Sequence, residues 1–293
     1  MKFVTESYGK WILAGEHAVL RGAPALVFPA TEFVMTFAYE EGKNPLQVNF
    51  VGSNGKEIEL IFWGLVESAL HKVQKSRSDL NGELQIENTI PLGAGLGASA
   101  ALCVGVARIF AHKKWILAQD IFSFSRNLES LFHGESSGVD IAVTLEGCGL
   151  RFMRGGEWTK VKQNWKPKIY LSYSGHRAIT SECVHKVSSL AKSNSSLSQS
   201  LDEQMRDAVD VAEQSLLKNE TDGVDGLVKA FDLAADCFKQ WGLCEGMILN
   251  HMNELSRAGA LAVKPTGSGG GGYVLSLWNA EPSTELLRQL VRI

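Results

Sequence analysis

Proline is scarce in this 293-residue chain, with 7 residues, and cysteine is scarcer still, with 5. So little proline excludes a polyproline or low-complexity linker protein. The cysteines (Cys103, Cys148, Cys183, Cys237 and Cys244) are odd in number, lack C-x-x-C spacing and pair with no histidine at zinc-site spacing. That pattern excludes a disulfide scaffold and a structural zinc site, and it reads as buried or half-buried thiols of a reducing cytosol. No charge of one sign dominates: 29 basic residues face 32 acidic ones, a formal net charge of -3. Without a basic stripe or tail, no nucleic-acid partner is expected. Long apolar runs are missing too. The longest nearly apolar stretch, Ala98 to Ala107, stops at Arg108 and is too short to span a bilayer. The N-terminus, Met1-Lys2-Phe3-Val4-Thr5-Glu6, has no apolar signal-peptide core. No membrane partner and a cytoplasmic location are the expectation.

What the chain has in excess is glycine, 29 of 293 residues, where the usual share is about 7%. Nearly half of these glycines lie in windows 9–22, 93–97, 134–138 and 267–272. Clustered glycine marks backbone held in unusual geometry or approached closely by something. Four such windows point to a composite ligand pocket. The remaining composition, 45% apolar and 21% charged, is that of a globular protein. The length suggests about two domains, and the polar stretch Asn164–Lys168 marks the boundary. The domains are therefore expected at 1–165 and 166–293.

The patterning mixes strands and helices in both halves. Lys10–Ala14 is strand-like and stops at Gly15, and Pro24–Pro29 is a short apolar run bounded by prolines. Val34–Phe50 alternates as antiparallel strands do, and so do Leu84, Ile86, Asn88 and Ile90. Phe62, Val66, Ala69 and Val73 share one face of a helix over Leu60–Gln74. Ala98–His112 reads as a buried helix, and Ile121, Phe124, Leu128 and Phe132 mark the next. Short strands follow at Gly149–Met153, Trp158–Val161 and Ile169–Tyr173. Residues 188–200, rich in Ser, Asn and Lys, are expected as a surface loop. Helices are expected through Met205–Leu216, Leu227–Phe238 and Met252–Leu255, a strand over Gly272–Trp278, and a terminal helix opening at Pro282-Ser283-Thr284-Glu285.

The glycine windows carry chemistry. In Pro91-Leu92-Gly93-Ala94-Gly95-Leu96-Gly97-Ala98-Ser99-Ala100-Ala101 a strand runs into a glycine loop that opens a helix of small residues. Unpaired N–H groups and the helix dipole favour an anion there, and glycine lets a phosphate approach the backbone. The same residues fit the dinucleotide pattern G-x-G-x-x-A, and Gly267–Gly272 fits G-x-G-x-x-G. However, the preceding strand alternates and no strand ending in an acid follows at the ribose-binding distance, which argues against a nicotinamide enzyme. Phosphoryl transfer needs a cradle, a magnesium held by a carboxylate and a hydroxyl, and a group for the acceptor's proton. Ser99 and Glu129 can supply the first pair, and Asp140 can take the proton. Lys10 can lower the acceptor hydroxyl's pKa by its charge.

These segments resemble the motifs of the GHMP superfamily of small-molecule kinases, which includes galactokinases, homoserine kinases, mevalonate kinases and phosphomevalonate kinases. Gly9–Val19 resembles the first motif, and its Glu16-His17-Ala18-Val19 wording is closest to the mevalonate kinases. Pro91–Ala101 resembles the second, P-x-G-x-G-L-G-S-S-A, and Lys264–Gly272 the third, K-x-T-G-A-G-G-G-G. Glu129 with His133–Asp140 resembles E-x-x-x-H-G-x-P-S-G-x-D. The segments recur in family order from residue 9 to 272.

The resemblance implies an α+β, two-domain fold. Its N-terminal domain would be ribosomal S5 domain 2-like and its C-terminal domain a ferredoxin-like α/β sandwich. It implies an ATP- and Mg2+-dependent enzyme that phosphorylates the primary hydroxyl of mevalonate or a close analogue, as a monomer or homodimer. By position, Asp140 is implied as the catalytic base with Lys10 beside it, and Ser99 and Glu129 as metal ligands. Asn88, Pro91, Gly93, Ala94, Gly95, Leu96, Gly97, Ala98 and Ser99 would contact the nucleotide. Glu16, His17, Thr266, Gly267, Gly269 and Gly270 would serve the acceptor. Ala98, Glu135, Ser136, Pro265, Ser268 and Ala234 depart from the family pattern. Glu135-Ser136 stands where the family has x-Pro, so that loop is expected to be less rigid. These departures bear on the acceptor more than on the chemistry.

Overall fold

The computed structural model describes residues 2–52, 54–133 and 136–293, with the backbone alone at His133. Gly134 and Glu135 of the fourth motif lie outside the described residues. By contacts the chain forms two compact units. The first holds the chain up to Lys10, Pro29–Leu92 and Gly97–Gly147, and the second holds Trp11–Phe28, Gly93–Leu96 and Cys148–Ile293.

The chain opens with β1 (Lys2–Ala14) and β2 (Ala25–Pro45), which pair with each other. In the first unit β2 continues into β3 (Gln47–Val51), helix α1 (Gly55–Lys72) and β4 (Asn81–Asn88). β4 lies between β3 and β2. It runs antiparallel to β2, with Phe37 opposite Ile86, but parallel to β3, with Phe50 opposite Ile86. The expected all-antiparallel reading of Val34–Phe50 is therefore wrong for its last residues. Parallel neighbours need a crossover, and α1 supplies it. Its buried face is Ile58, Phe62, Leu65, Val66, Ala69 and Leu70, while Val73 falls just past the helix end.

Helix α2 (Ala98–His112) has the span read from the sequence and is buried nearly all round. It packs against α3 (Ile121–His133) and α4 (Val139–Glu146). Residues with small side chains let it sit deep. Gly105 faces the buried Phe37 ring so closely that a Cβ there would lie 2.1 Å from it.

In the second unit, the start of β2 pairs with β5 (Leu150–Met153), which pairs with β6 (Glu157–Lys160). A four-stranded antiparallel sheet has the order β10-β7-β9-β8, from β7 (Lys168–Tyr173), β8 (Ala262–Pro265), β9 (Tyr273–Trp278) and β10 (Val291–Arg292). Four helices accompany it: α5 (Thr180–Ser193), α6 (Ser195–Leu216), α7 (Glu220–Gln240) and α8 (Met247–Arg257).

Two expectations fail here. Residues 188–200 are not a loop but the end of α5 and the start of α6. Cys183 and Val187 bury one face of α5, and the Asn194 side chain caps α6 by accepting the Leu197 N–H at 3.1 Å. Ser and Asn read as loop-formers because they favour caps, and a cap is what this Asn makes. The terminal segment forms only a 3-10 turn at Leu286–Arg288 before β10 pairs with β7. There a backbone ladder at the sheet edge replaces the expected helix. Among the described residues no helix is long and apolar enough to cross a membrane.

The Phe37–Gly105 contact sets a steric test. Gly105→Val must displace a buried ring, and overpacking of this kind costs about 1–3 kcal/mol. A lower urea unfolding midpoint is expected, and an unchanged midpoint would contradict the packing.

Candidate functional site

In the first unit the site begins at Lys10, on β1. Lys10 is only 4% exposed, and a buried ammonium needs a counter-charge. Asp140, in the first turn of α4, provides it, with Oδ2 3.2 Å from the Lys10 Nζ. The pair lies against the N-terminus of α2. The N-cap Gly97 has φ 77, and a Cβ there would come within 2.8 Å of Lys10 Cγ and 3.8 Å of Asp140 Oδ2. Glycine is therefore needed at residue 97 both for its backbone angle and for space. The structure thus brings Lys10, Asp140 and the N–H groups of the Ala98–Ser99 turn to one place.

Glu129 sits on α3 and is 4% exposed, although a glutamate bordering an apolar helix face is usually solvated. The fully buried face of α3 is Ser125, Leu128 and Glu129; the expected Ile121, Phe124 and Phe132 are only half-buried. Burial pushes the Glu129 carboxyl up to about 8, with the Asp140 charge adding to it. A hydrogen bond from Ser136 and the charges of Lys10 and Arg126 act the other way. The Glu129 charge is also felt by Cys103 on α2, whose thiol burial pushes well up. Ser99 lies one turn before Cys103 and so on the same face of α2. A buried carboxylate beside a second acid, with a hydroxyl on the same helix face, suits a hard cation. Among the described residues no group of three or more His, Cys, Asp or Glu side chains forms a ready-made cage. Magnesium is commonly held by one or two carboxylates together with phosphates and water, so the donor set fits it.

Asn88 ends β4 and turns its amide back on the chain. Its Oδ1 accepts the Ile90 N–H at 3.0 Å and its Nδ2 donates to the Ile90 carbonyl at 2.8 Å. Pro91 and Ser99 are half-buried, and Ala98 is buried.

In the second unit the other predicted residues form a separate cluster. Lys264 Nζ lies 2.6 Å from Glu16 Oε1 and also donates to the carbonyls of Ile12 and Pro265. Both partners are buried. Thr266 Oγ1 takes the Ile12 N–H at 2.9 Å and donates to the Ile12 carbonyl at 3.1 Å. His17 Nε2 is 2.9 Å from the Ser268 carbonyl, and its ring stands edge-on to Trp241 and Phe238. Its φ of 58 is a strained value for a residue with a side chain. Gly93, Ala94, Gly95 and Leu96 belong to this unit and meet the third glycine run backbone to backbone. A Cβ on Gly267 would lie 3.2 Å from the Gly95 carbonyl, and one on Gly272 2.8 Å from that of Ala94. Gly269 and Gly270 pack on Phe238 and Cys183.

The sequence reading gave no role to Ser136 or Trp241, and it singled out Lys264 without its partner. Ser136 is a donor to Glu129, Lys264 is the counter-ion of Glu16, and Trp241 is an aromatic wall beside His17. Only Lys264 carried a signal, as the first residue of the third motif.

Residues 64–148 match the family model of the GHMP kinases N terminal domain. That stretch is similar to the N-terminal domain of these kinases, and the α+β fold is like that of the solved kinases named below. The individual relatives are mevalonate kinases. Mevalonate kinase of Archaeoglobus fulgidus is 28% identical over 95% of this chain and 93% of its own length. That of Pyrococcus furiosus is also 28% identical, over 94% and 89%. Among solved structures, L. major mevalonate kinase in complex with R-mevalonate superposes with a TM-score of 0.79 at 19% identity, over 99% of this chain and 94% of that one. Methanococcus jannaschii mevalonate kinase gives 0.76 at 21%, over 100% and 97%. These structures establish the likeness of fold.

Two outcomes follow from the second cluster. Lys264→Met leaves Glu16 charged in a site closed to water, and breaking such a pair costs about 3–5 kcal/mol. A fall of that size in unfolding free energy is expected, and a loss below about 1 kcal/mol would mean the pair is not buried. Burial also pushes the His17 imidazole down to about 4, with the Ser268 hydrogen bond opposing. The unfolded chain then binds a proton that the folded state refuses. The stability His17 contributes is complete above about pH 6.5 and is lost as pH falls toward 4. His17→Gln, which keeps a donor but does not titrate, should flatten the loss between those values. A slope equal to that of the unmodified protein in urea titrations across that range would exclude His17 as its source.

Proposed function

We propose that this chain transfers the γ-phosphate of ATP to the primary hydroxyl of mevalonate, with Asp140 as catalytic base. The observation that carries this reading is the Lys10–Asp140 pair set against the N-terminus of α2. An anion-binding turn, a carboxylate and an ammonium in one place are what phosphoryl transfer asks of a protein. Kinship with mevalonate kinases along nearly the whole chain supports the choice of acceptor.

In this mechanism the backbone N–H groups of Gly97, Ala98 and Ser99 receive phosphate oxygens. Asp140 takes the proton of the acceptor hydroxyl, whose oxygen attacks the γ-phosphorus as ADP leaves. Lys10 orients Asp140 and favours the developing alkoxide by its charge. Ser99 and Glu129 would hold the magnesium ion, which when bound neutralises the phosphate oxygens. Ala94, Gly95, Leu96 and Gly93 are proposed nucleotide contacts, with Asn88 and Pro91 beside them. Glu16, His17, Thr266, Gly267, Gly269 and Gly270 are proposed to serve the acceptor. A cytoplasmic location belongs to the same reading and accords with five free thiols.

Asp140→Asn keeps the size of the side chain and removes the base. A fall in kcat of about 100- to 10,000-fold is expected, with the ATP KM little changed. The assay is coupled ADP release with mevalonate, run beside phosphomevalonate, homoserine and galactose. Unchanged turnover in the variant would end the base assignment. Faster turnover on another alcohol would reassign the acceptor, and ATP binding without ADP release on any of them would make the chain a non-catalytic relative.

A further inference from the structure

Ser136 is where this chain leaves the family's P-S-G pattern, and the structure gives its hydroxyl two partners. The Oγ donates to Glu129 Oε2 and accepts the Gly138 N–H at 3.0 Å. Its carbonyl in turn accepts Arg126 Nε at 3.1 Å, and the residue is buried. A hydroxyl has a single proton to give. With the Gly138 N–H on one lone pair, that proton is directed at the Glu129 carboxylate. Gly138 is the N-cap of α4, which carries Asp140 in its first turn. One side chain therefore ties the carboxylate on α3 to the turn that launches the carboxylate on α4. A proline in this place could make neither bond. Of the loop expected to be less rigid, Ser136 is held by these hydrogen bonds, and Glu135 lies outside the described residues.

We infer that Ser136 is a positioning residue for the cation site, holding Glu129 Oε2 so that the carboxylate offers Oε1 to a hard divalent cation bound with a nucleoside triphosphate. This rests on the kinase reading for the identity of the nucleotide, but on the Ser136–Glu129–Gly138 contacts for the site. Outer partners of a metal ligand fix its orientation, and losing one typically weakens metal affinity about 10- to 100-fold.

The test uses the full chain with a non-hydrolysable ATP analogue and Mn2+ as a paramagnetic probe. Bound Mn2+ is measured by electron paramagnetic resonance above the amount taken up by nucleotide alone. Ser136→Ala should weaken Mn2+ binding by about 10-fold or more, and Ser136→Thr, which keeps the hydroxyl, should stay near the unmodified protein. The Mg2+ concentration for half-maximal activity should rise in parallel in the alanine variant, while the ATP KM at saturating Mg2+ holds. A purely structural role would lower the melting temperature of Ser136→Ala without moving Mn2+ affinity. If Ser136→Ala does not fold, Ser136→Cys, close in size and a poor donor, takes its place. Unaltered Mn2+ affinity in the hydroxyl-free variant, equal weakening in the threonine variant, or no Mn2+ binding by the unmodified chain would each overturn the inference. Failure of the kinase reading is separate: it would show as no phosphorylation of any alcohol while Ser136→Ala still weakens Mn2+ binding.

Discussion

The buried ammonium of Lys10 constrains the first unit more than any other group. A charge with so little solvent must be met by a carboxylate, and Asp140 meets it at 3.2 Å. For that to happen β1 must bring Lys10 beside the turn that opens α4, and Gly97 must give up a side chain to make room. Lys10 is then committed to Asp140. Glu129 is buried beside the Asp140 charge, which is why its carboxyl holds a proton well above the ordinary range, although Lys10 and Arg126 pull the other way. On the proposed reading, a cation at Glu129 and a phosphate at the start of α2 would complement this arrangement.

The chain has a second buried lysine–carboxylate pair, and exposure separates the two. In Lys264–Glu16 both side chains are sealed, at 0% and 1%, and the ammonium is further held by two carbonyls. In Lys10–Asp140 the aspartate side chain is 24% exposed. A sealed pair cannot exchange partners without unfolding around it, so its role is to order the first and third motifs within their unit. A half-open pair can accept a proton or a ligand on its free side. The same two residue types therefore do different work, and the difference lies in solvent access.

Glycine likewise serves two purposes. Gly97 makes room at a helix start, whereas Gly95 and Gly267 let two loops touch through their backbones. Both uses look alike in a sequence, where each is a short window rich in one residue. The cluster of glycines was legible, as was α2 from its first residue to its last, because each depends on neighbours along the chain. The later part of α6, helices α7 and α8 and strand β9 were legible for the same reason. Helix α5, the start of α6, the parallel pairing of β3 and the short β10 were not. Each was decided by a partner distant in sequence, or by a cap whose residue type also signals a loop.

The sequence by itself determined which groups this protein has available: a lysine and a glutamate flanking a glycine turn, a helix opening on small residues, and acids spaced through the fourth motif. Their order along the chain was enough to show the resemblance to a class of kinases. Only the tertiary structure decided what each group faces. Glu16 and Lys264 are 248 residues apart, and their pairing exists only when β1 and β8 are folded. Ser136 looked like the loss of a stiff proline and became a donor to Glu129, because hydrogen bonding depends on direction and distance in space, which residue identity does not contain.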